Sequence, residues 1–196
     1  MSLIMITLFI IVAIVGRSLW QNQLTGDSGM RPVKRNSPLM MIFSSALIIL
    51  VFIAVIIISL LTTFAGFEVY PKLGIYGNSL GILFCLVGIL LTSLSQIQMG
   101  TEWRIGVDEN EKTKLITHGV YSKIRNPIYT GVIIFGLGLV VLIPNIIMIM
   151  LALLGYAAIE LHVRKVEEPH LEKLHGQLFT NYKNSTGRYF PRRKKP

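Results

Sequence analysis

Two polar segments hold most of the side chains that could do chemistry. The first contains Gly119, Tyr121 and Arg125-Asn126-Pro127-Ile128-Tyr129; the second contains Glu167-Glu168-Pro169, then Gly176, Tyr182 and Arg188-Tyr189-Phe190-Pro191. Adjacent carboxylates at Glu167 and Glu168 are suited to hold a cation. Each segment also has a plainer reading. Arg125 and Tyr129 suit interfacial anchors around a helix that starts at Pro127, where a missing N–H costs nothing. Leu171, Leu174 and Leu178 mark one face of an amphipathic tail helix. Neither accounts for the acid pair, because acids contribute little to membrane orientation.

Other chemistries fail on spacing. His162, His170 and His175 lack the HExxH arrangement of a zinc hydrolase, and the single cysteine, Cys85, excludes a multi-cysteine metal site. No nucleophile elbow surrounds any serine. Gly136-Leu137-Gly138 follows no strand, so it reads as a site of close helix packing, not a dinucleotide loop.

The elements that must position these residues are apolar. The 196 residues are 52% hydrophobic and only 15% charged, with a mean hydropathy of +0.60. That is too little charge to cover a soluble globule and too much hydrophobicity for disorder. Charged residues are absent from 1–16, 36–67, 73–101 and 126–159. The last block would be a helix of about 51 Å, longer than a bilayer core of about 30 Å. Pro144-Asn145 near its middle predicts a turn, so the block is expected to form a hairpin of two short helices. The expected fold is all-α and integral to the membrane, with about five spans. The first apolar block has no basic segment before it and no small-residue cleavage site before Arg17, so it reads as an uncleaved span.

The basic residues set the orientation. Arg31, Lys34 and Arg35 follow the first span; Arg104, Lys112, Lys114, Lys123 and Arg125 follow the third; Arg164, Lys165, Lys173, Lys183, Arg188 and Arg192-Arg193-Lys194-Lys195 lie in the tail. The second span is followed only by Lys72. This predicts an outside N-terminus and a cytoplasmic C-terminus. The net charge of +9 is therefore a topology signal and a skirt for anionic membrane lipids, not a nucleic-acid surface. The spans are nearly free of ionisable residues, which argues against an ion-coupled transporter and leaves a neutral-solute permease open.

Taken together, the two segments resemble the membrane methyltransferase superfamily of isoprenylcysteine carboxyl methyltransferase and the phospholipid N-methyltransferases. The matching residues are Gly119, Tyr121, Arg125, Pro127, Tyr129, Glu167, Glu168, Gly176, Tyr182, Arg188 and Pro191. The resemblance divides the chain into a three-span region, 1–99, and a catalytic half, 100–196, in which the loop, hairpin and C-terminal helix form the cofactor site. It implies S-adenosyl-L-methionine as cofactor, without a metal, and a lipidic or prenylated acceptor at the cytoplasmic face. The cofactor-binding residues it implies are His118, Gly119, Tyr121, Arg125, Asn126, Pro127, Tyr129, Glu167 and Glu168; the catalytic ones are Arg188, Asn126 and Glu168. Carboxylates would meet the cofactor's cations, Arg125 or exposed backbone N–H groups its carboxylate, and the tyrosines its adenine or its cation.

Two departures bear on the acceptor. Asn126 replaces the family's usual histidine and cannot titrate near neutrality. Val163 stands where the carboxyl methyltransferases carry an arginine for the substrate carboxylate, with His162 and Arg164 on either side. One residue of helix rotates a side chain by about 100°, so Arg164 can inherit that role only if the helix is rotated or unwound there. An amine- or thiol-bearing lipidic acceptor fits better than a carboxylate. The rival reading is a non-catalytic membrane protein, a small permease or assembly factor on the same fold.

Overall fold

The computed structural model describes every residue except 35, 68–72, 109–110 and 193–196, so the expectations for Arg35, Lys72 and Arg193-Lys194-Lys195 lie outside the described residues. The described chain is helical: α1 Ser2–Thr25, α2 Leu39–Phe64, α3 Gly74–Met99, α4 Pro127–Leu142 and α5 Ile146–His162. A π-helical stretch, Val163–Glu167, carries α5 into α6, Glu168–His175, and α7 spans Gln177–Ser185. In lipid the backbone must satisfy its own hydrogen bonds, which is why apolar length translates so directly into helix.

Four helical runs are long and apolar enough to cross a membrane: α1, α2, α3 with its 3-10 extension, and the α5–α6 run Ile146–His175. The fifth apolar helix, α4, has 16 residues. The chain reverses between α4 and α5 at Pro144-Asn145, where the Asn145 side chain accepts from the Met148 N–H at 2.7 Å. The second arm is longer than a short helix because nothing breaks it at the membrane face. Pro169 falls in the first turn of α6, where it is tolerated.

The two arms of this hairpin find their main partners elsewhere: α4 packs on α3, and α5 packs on α2. Glycines explain the first pairing. Gly81 and Gly88 lie two turns apart on α3 and face Gly138 and Gly131 on α4. A Cβ at Gly88 would lie 2.6 Å from the Phe135 nitrogen, and one at Gly138 would lie 2.7 Å from Cys85 Sγ. Gly136 meets nothing within 4 Å, so the close packing expected of Gly136-Leu137-Gly138 belongs to Gly138. The core above this contact is Phe9, Ala13, Ile89, Phe135 and Leu139, with the Phe9 and Phe135 rings 4.6 Å apart. By contrast α2 buries only Met41, Ser44 and Ser59, as suits a helix that faces lipid over most of its surface.

Candidate active site

The first polar segment is built onto the end of α3. Gln98 accepts from the Val120 N–H at 2.8 Å, and a Cβ at Gly119 would sit 2.3 Å from that same Gln98 Oε1. With φ at +60°, position 119 needs glycine on both counts. The 3-10 turn Gly119–Ser122 then buries Tyr121, whose hydroxyl donates to the Ser95 carbonyl at 3.3 Å. Tyr182 of α7 donates to the Tyr121 carbonyl at 2.7 Å. Burial pushes both phenols far above their ordinary pKa, so both remain donors.

The tail is laid beside this segment by backbone pairing. Arg125 N–H donates to the Gly187 carbonyl at 2.9 Å and Asn126 N–H to the Arg188 carbonyl at 3.1 Å. Thr130 adds a hydroxyl bond to the Tyr189 carbonyl at 3.0 Å. Two guanidiniums thereby converge on one carboxylate. Arg125 Nε donates to Glu168 Oε1 at 2.9 Å, while Arg188 donates to Oε1 at 2.9 Å and to Oε2 at 3.0 Å. Arg188 also reaches Glu160 at 2.8 Å, and Tyr189 donates to the other Glu160 oxygen at 2.7 Å. The Glu168 hydrogen bonds raise the Arg188 pKa further above its ordinary value.

Glu167 is bound differently. The Tyr129 hydroxyl donates to its Oε1 at 2.5 Å, and none of the described lysines or arginines pairs with it. A cavity of about 500 Å³ lies in front of it, within the range of roughly 300–1,000 Å³ usual for small-molecule sites. Its lining includes the polar Glu167, Glu168, Arg125 and Asn126 and the apolar Phe9, Ala13, Ile48, Phe52 and Val132.

A strap closes one side. The described residues of 103–116 run along the cavity and are tied to the α1–α2 connection. Backbone bonds link Arg31 to Ile105 at 2.8 Å and Ile105 to Gly29 at 2.9 Å. Arg31 bonds both Asp27 and Glu111, Arg104 bonds Glu111, and Lys34 pairs with Asp108 at 2.7 Å. The Arg31 hydrogen bonds hold the Glu111 carboxyl below its ordinary range and lower Asp27 to about 2. At the strap's root, the Arg17 guanidinium stacks over Trp20 and Trp103, 4.7 Å from each ring.

Seven expected site residues therefore line one cavity: Tyr121, Arg125, Asn126, Pro127, Tyr129, Glu167 and Glu168. His118 and Gly119 are both exposed and outside the lining, and Gly119 shapes the turn. Arg188 also stands outside the lining and acts through Glu168. The strap and Glu160 were not visible from motif spacing. A Trp103-Arg104 pair at the end of a span was the one available signal for the strap.

The phospholipid methyltransferase family matches residues 76–178, which carry α3, α4, α5 and both carboxylates. The chain belongs to that family. Two probable protein-S-isoprenylcysteine O-methyltransferases, from Oryza sativa subsp. indica and subsp. japonica, are each 30% identical to it over 80 residues. Those matches cover 39% of this chain and 42% of each relative, so it aligns with less than half the length of these curated plant proteins. The structure of the eukaryotic intramembrane Ras methyltransferase ICMT (isoprenylcysteine carboxyl methyltransferase) superposes with a TM-score of 0.57 at 22% identity. It covers 91% of this chain and 60% of the ICMT chain, and the likeness is one of fold. This phospholipid methyltransferase family member thus shares an integral-membrane architecture with ICMT.

Proposed function

We propose that this chain is an S-adenosylmethionine-dependent methyltransferase acting on a lipidic acceptor at the cytoplasmic face, with its N-terminus outside and its C-terminus cytoplasmic. The observation that carries the reading is the cavity, lined by apolar side chains together with Tyr121, Arg125, Asn126, Pro127, Tyr129, Glu167 and Glu168, all within the stretch that matches the family. Among the described lining carboxylates, Asp108, Glu111 and Glu168 are each paired with a lysine or arginine, whereas Glu167 is paired with none of the described ones. Glu167 is therefore suited to a cationic ligand. Asn126 Nδ2 is buried without a hydrogen-bond partner, a donor suited to an acceptor atom on a ligand. When bound, S-adenosylmethionine supplies a methyl group activated by its sulfonium. Glu167 then meets the cationic end, Asn126 offers its free N–H, and Tyr121 and Tyr129 wall the site. Glu168 and Arg188 hold the tail and Arg125 in place. Catalysis rests on proximity and exclusion of water, with no covalent intermediate.

The acceptor follows from which cations are engaged. Arg125 and Arg188 both bond Glu168, and Arg104 bonds Glu111, so each of these guanidiniums has a carboxylate partner within the chain. Val163 is fully buried against Ile159 and Tyr189. The helix is indeed rewound at Val163–Glu167, yet Arg164 points to the surface and pairs with Glu160. A buried substrate carboxylate would lack its bidentate partner. With radiolabelled donor on the same membranes, an amine- or thiol-bearing lipid should be methylated faster than a short farnesyl-cysteine analogue. Robust carboxyl ester formation would overturn the acceptor and leave methyl transfer intact.

Calorimetric titration of detergent-purified protein with S-adenosylmethionine and S-adenosylhomocysteine tests the reading itself. Both should bind. A protein that binds neither is the non-catalytic permease or assembly factor. A reporter placed near Arg31 should read cytoplasmic, and an external signal there would invert the orientation.

A further inference from the structure

His162 is a buried titratable group to which methyl transfer gives no work. It is 4% exposed at the end of α5. Its Nδ1 lies 2.9 Å from Ser44 Oγ on α2, and its Nε2 lies 3.7 Å from Glu167 Oε1. The second contact depends on the π-helical stretch. In an α-helix, side chains five residues apart point about 140° away from each other. Over Val163–Glu167 the hydrogen bonding widens to i→i+5, which brings His162 and Glu167 to one face.

Hydrogen-bond direction decides where this imidazole can take up a proton. A serine hydroxyl has one proton to give. The Ser44 proton goes to the Met40 carbonyl at 2.7 Å, one turn back along α2. Ser44 Oγ is then the acceptor for His162, so Nδ1 carries the hydrogen and Nε2 turns its lone pair toward Glu167. The groups facing the imidazole are Glu167 from its own helical run, Tyr129 of α4 beyond Glu167, and the neutral Ser44 hydroxyl from α2. Glu167 also lines the cavity, whereas His162 and Ser44 stand behind it. One carboxylate thus has an imidazole at its back and a ligand site at its front.

We propose that His162, anchored by Ser44, is the positioning residue for Glu167, and that a cationic ligand arriving at Glu167 displaces a proton from His162. The proposal rests on the reading of the cavity as the methyl-donor site. The balance is simple: Nε2–H of the imidazolium gives its proton to solvent, and the Glu167 charge passes from imidazolium to ligand. No covalent bond other than N–H changes.

The test is calorimetry of the full chain with S-adenosylmethionine between about pH 5 and 8, the range in which histidine changes charge, in buffers of different ionisation enthalpy. The ligand's own titration is common to all variants, so the difference between proteins is the readout. Below the transition, wild type should release up to one proton more than His162→Gln, and its Kd should weaken up to tenfold per pH unit relative to that variant. Ser44→Ala, which keeps the imidazole but frees Nδ1, should move the pH at which release begins. Equal proton release by wild type and His162→Gln overturns the proposal. If His162→Gln does not fold, a Ser44→Ala profile coincident with wild type overturns it instead. Wild type that binds no S-adenosylmethionine overturns the donor reading and this proposal together, whereas binding with equal release overturns the proposal alone.

Discussion

Glu168→Ala is expected to lower stability by roughly 3–5 kcal/mol, the usual cost of removing one partner from a buried ion pair. Glu168 is only 5% exposed, and it receives three hydrogen bonds from Arg125 and Arg188. Alanine would leave two guanidiniums facing each other in a partly buried site, with only Glu160 to answer Arg188. The tail would lose its tie to α6 and be held by its backbone bonds to Lys123, Arg125 and Asn126, the Thr130 bond to Tyr189, and the Glu160 contacts of Arg188 and Tyr189. Thermal unfolding in detergent and limited proteolysis of the tail should both report the loss. Glu168→Gln keeps an acceptor oxygen and should lose less. An alanine variant that melts like wild type and resists proteolysis would remove Glu168 from this architectural role.

The second large effect is expected at the α3–α4 contact. Gly88→Leu places a Cβ 2.6 Å from the Phe135 nitrogen and 2.7 Å from the Gly131 carbonyl oxygen. Both are backbone atoms of a helix that cannot yield without moving as a whole. The loss should reach the upper end of overpacking costs, about 3 kcal/mol or more. Gly136→Leu is the control, because a Cβ there meets nothing within 4 Å. It should stay within roughly 0.5 kcal/mol of wild type. Equal melting temperatures for the two leucine variants would mean that backbone proximity at Gly88 and Gly131 does not hold these helices together.

Both effects concern features that hydropathy does not encode. The all-α membrane fold, the reversal at Pro144-Asn145 and the start of α4 at Pro127 were legible from residue type and order. They are local properties. Apolar length, the fixed φ of proline and the capping chemistry of asparagine act within one turn of the chain, and lipid forbids the alternatives. A shared pocket for the two motif segments was implied by the family resemblance alone, and Tyr121, Arg125, Asn126, Tyr129, Glu167 and Glu168 do line one cavity.

Tertiary structure decided which of those groups remain open. Glu167 and Glu168 are adjacent and alike in sequence, but the tail and the Arg125 segment deliver two guanidiniums to one and a phenol to the other. A charge's partner is whatever the fold brings within about 4 Å, and that carries no periodicity for a sequence to display. The same holds for α4 choosing α3 over its hairpin mate: the glycines that meet (Gly81 with Gly138, Gly88 with Gly131) look no different in sequence from Gly136, which meets nothing, until two helices are brought into contact. The π-helical stretch Val163–Glu167 that brings His162 beside Glu167 is likewise a feature that the spacing of apolar residues does not display.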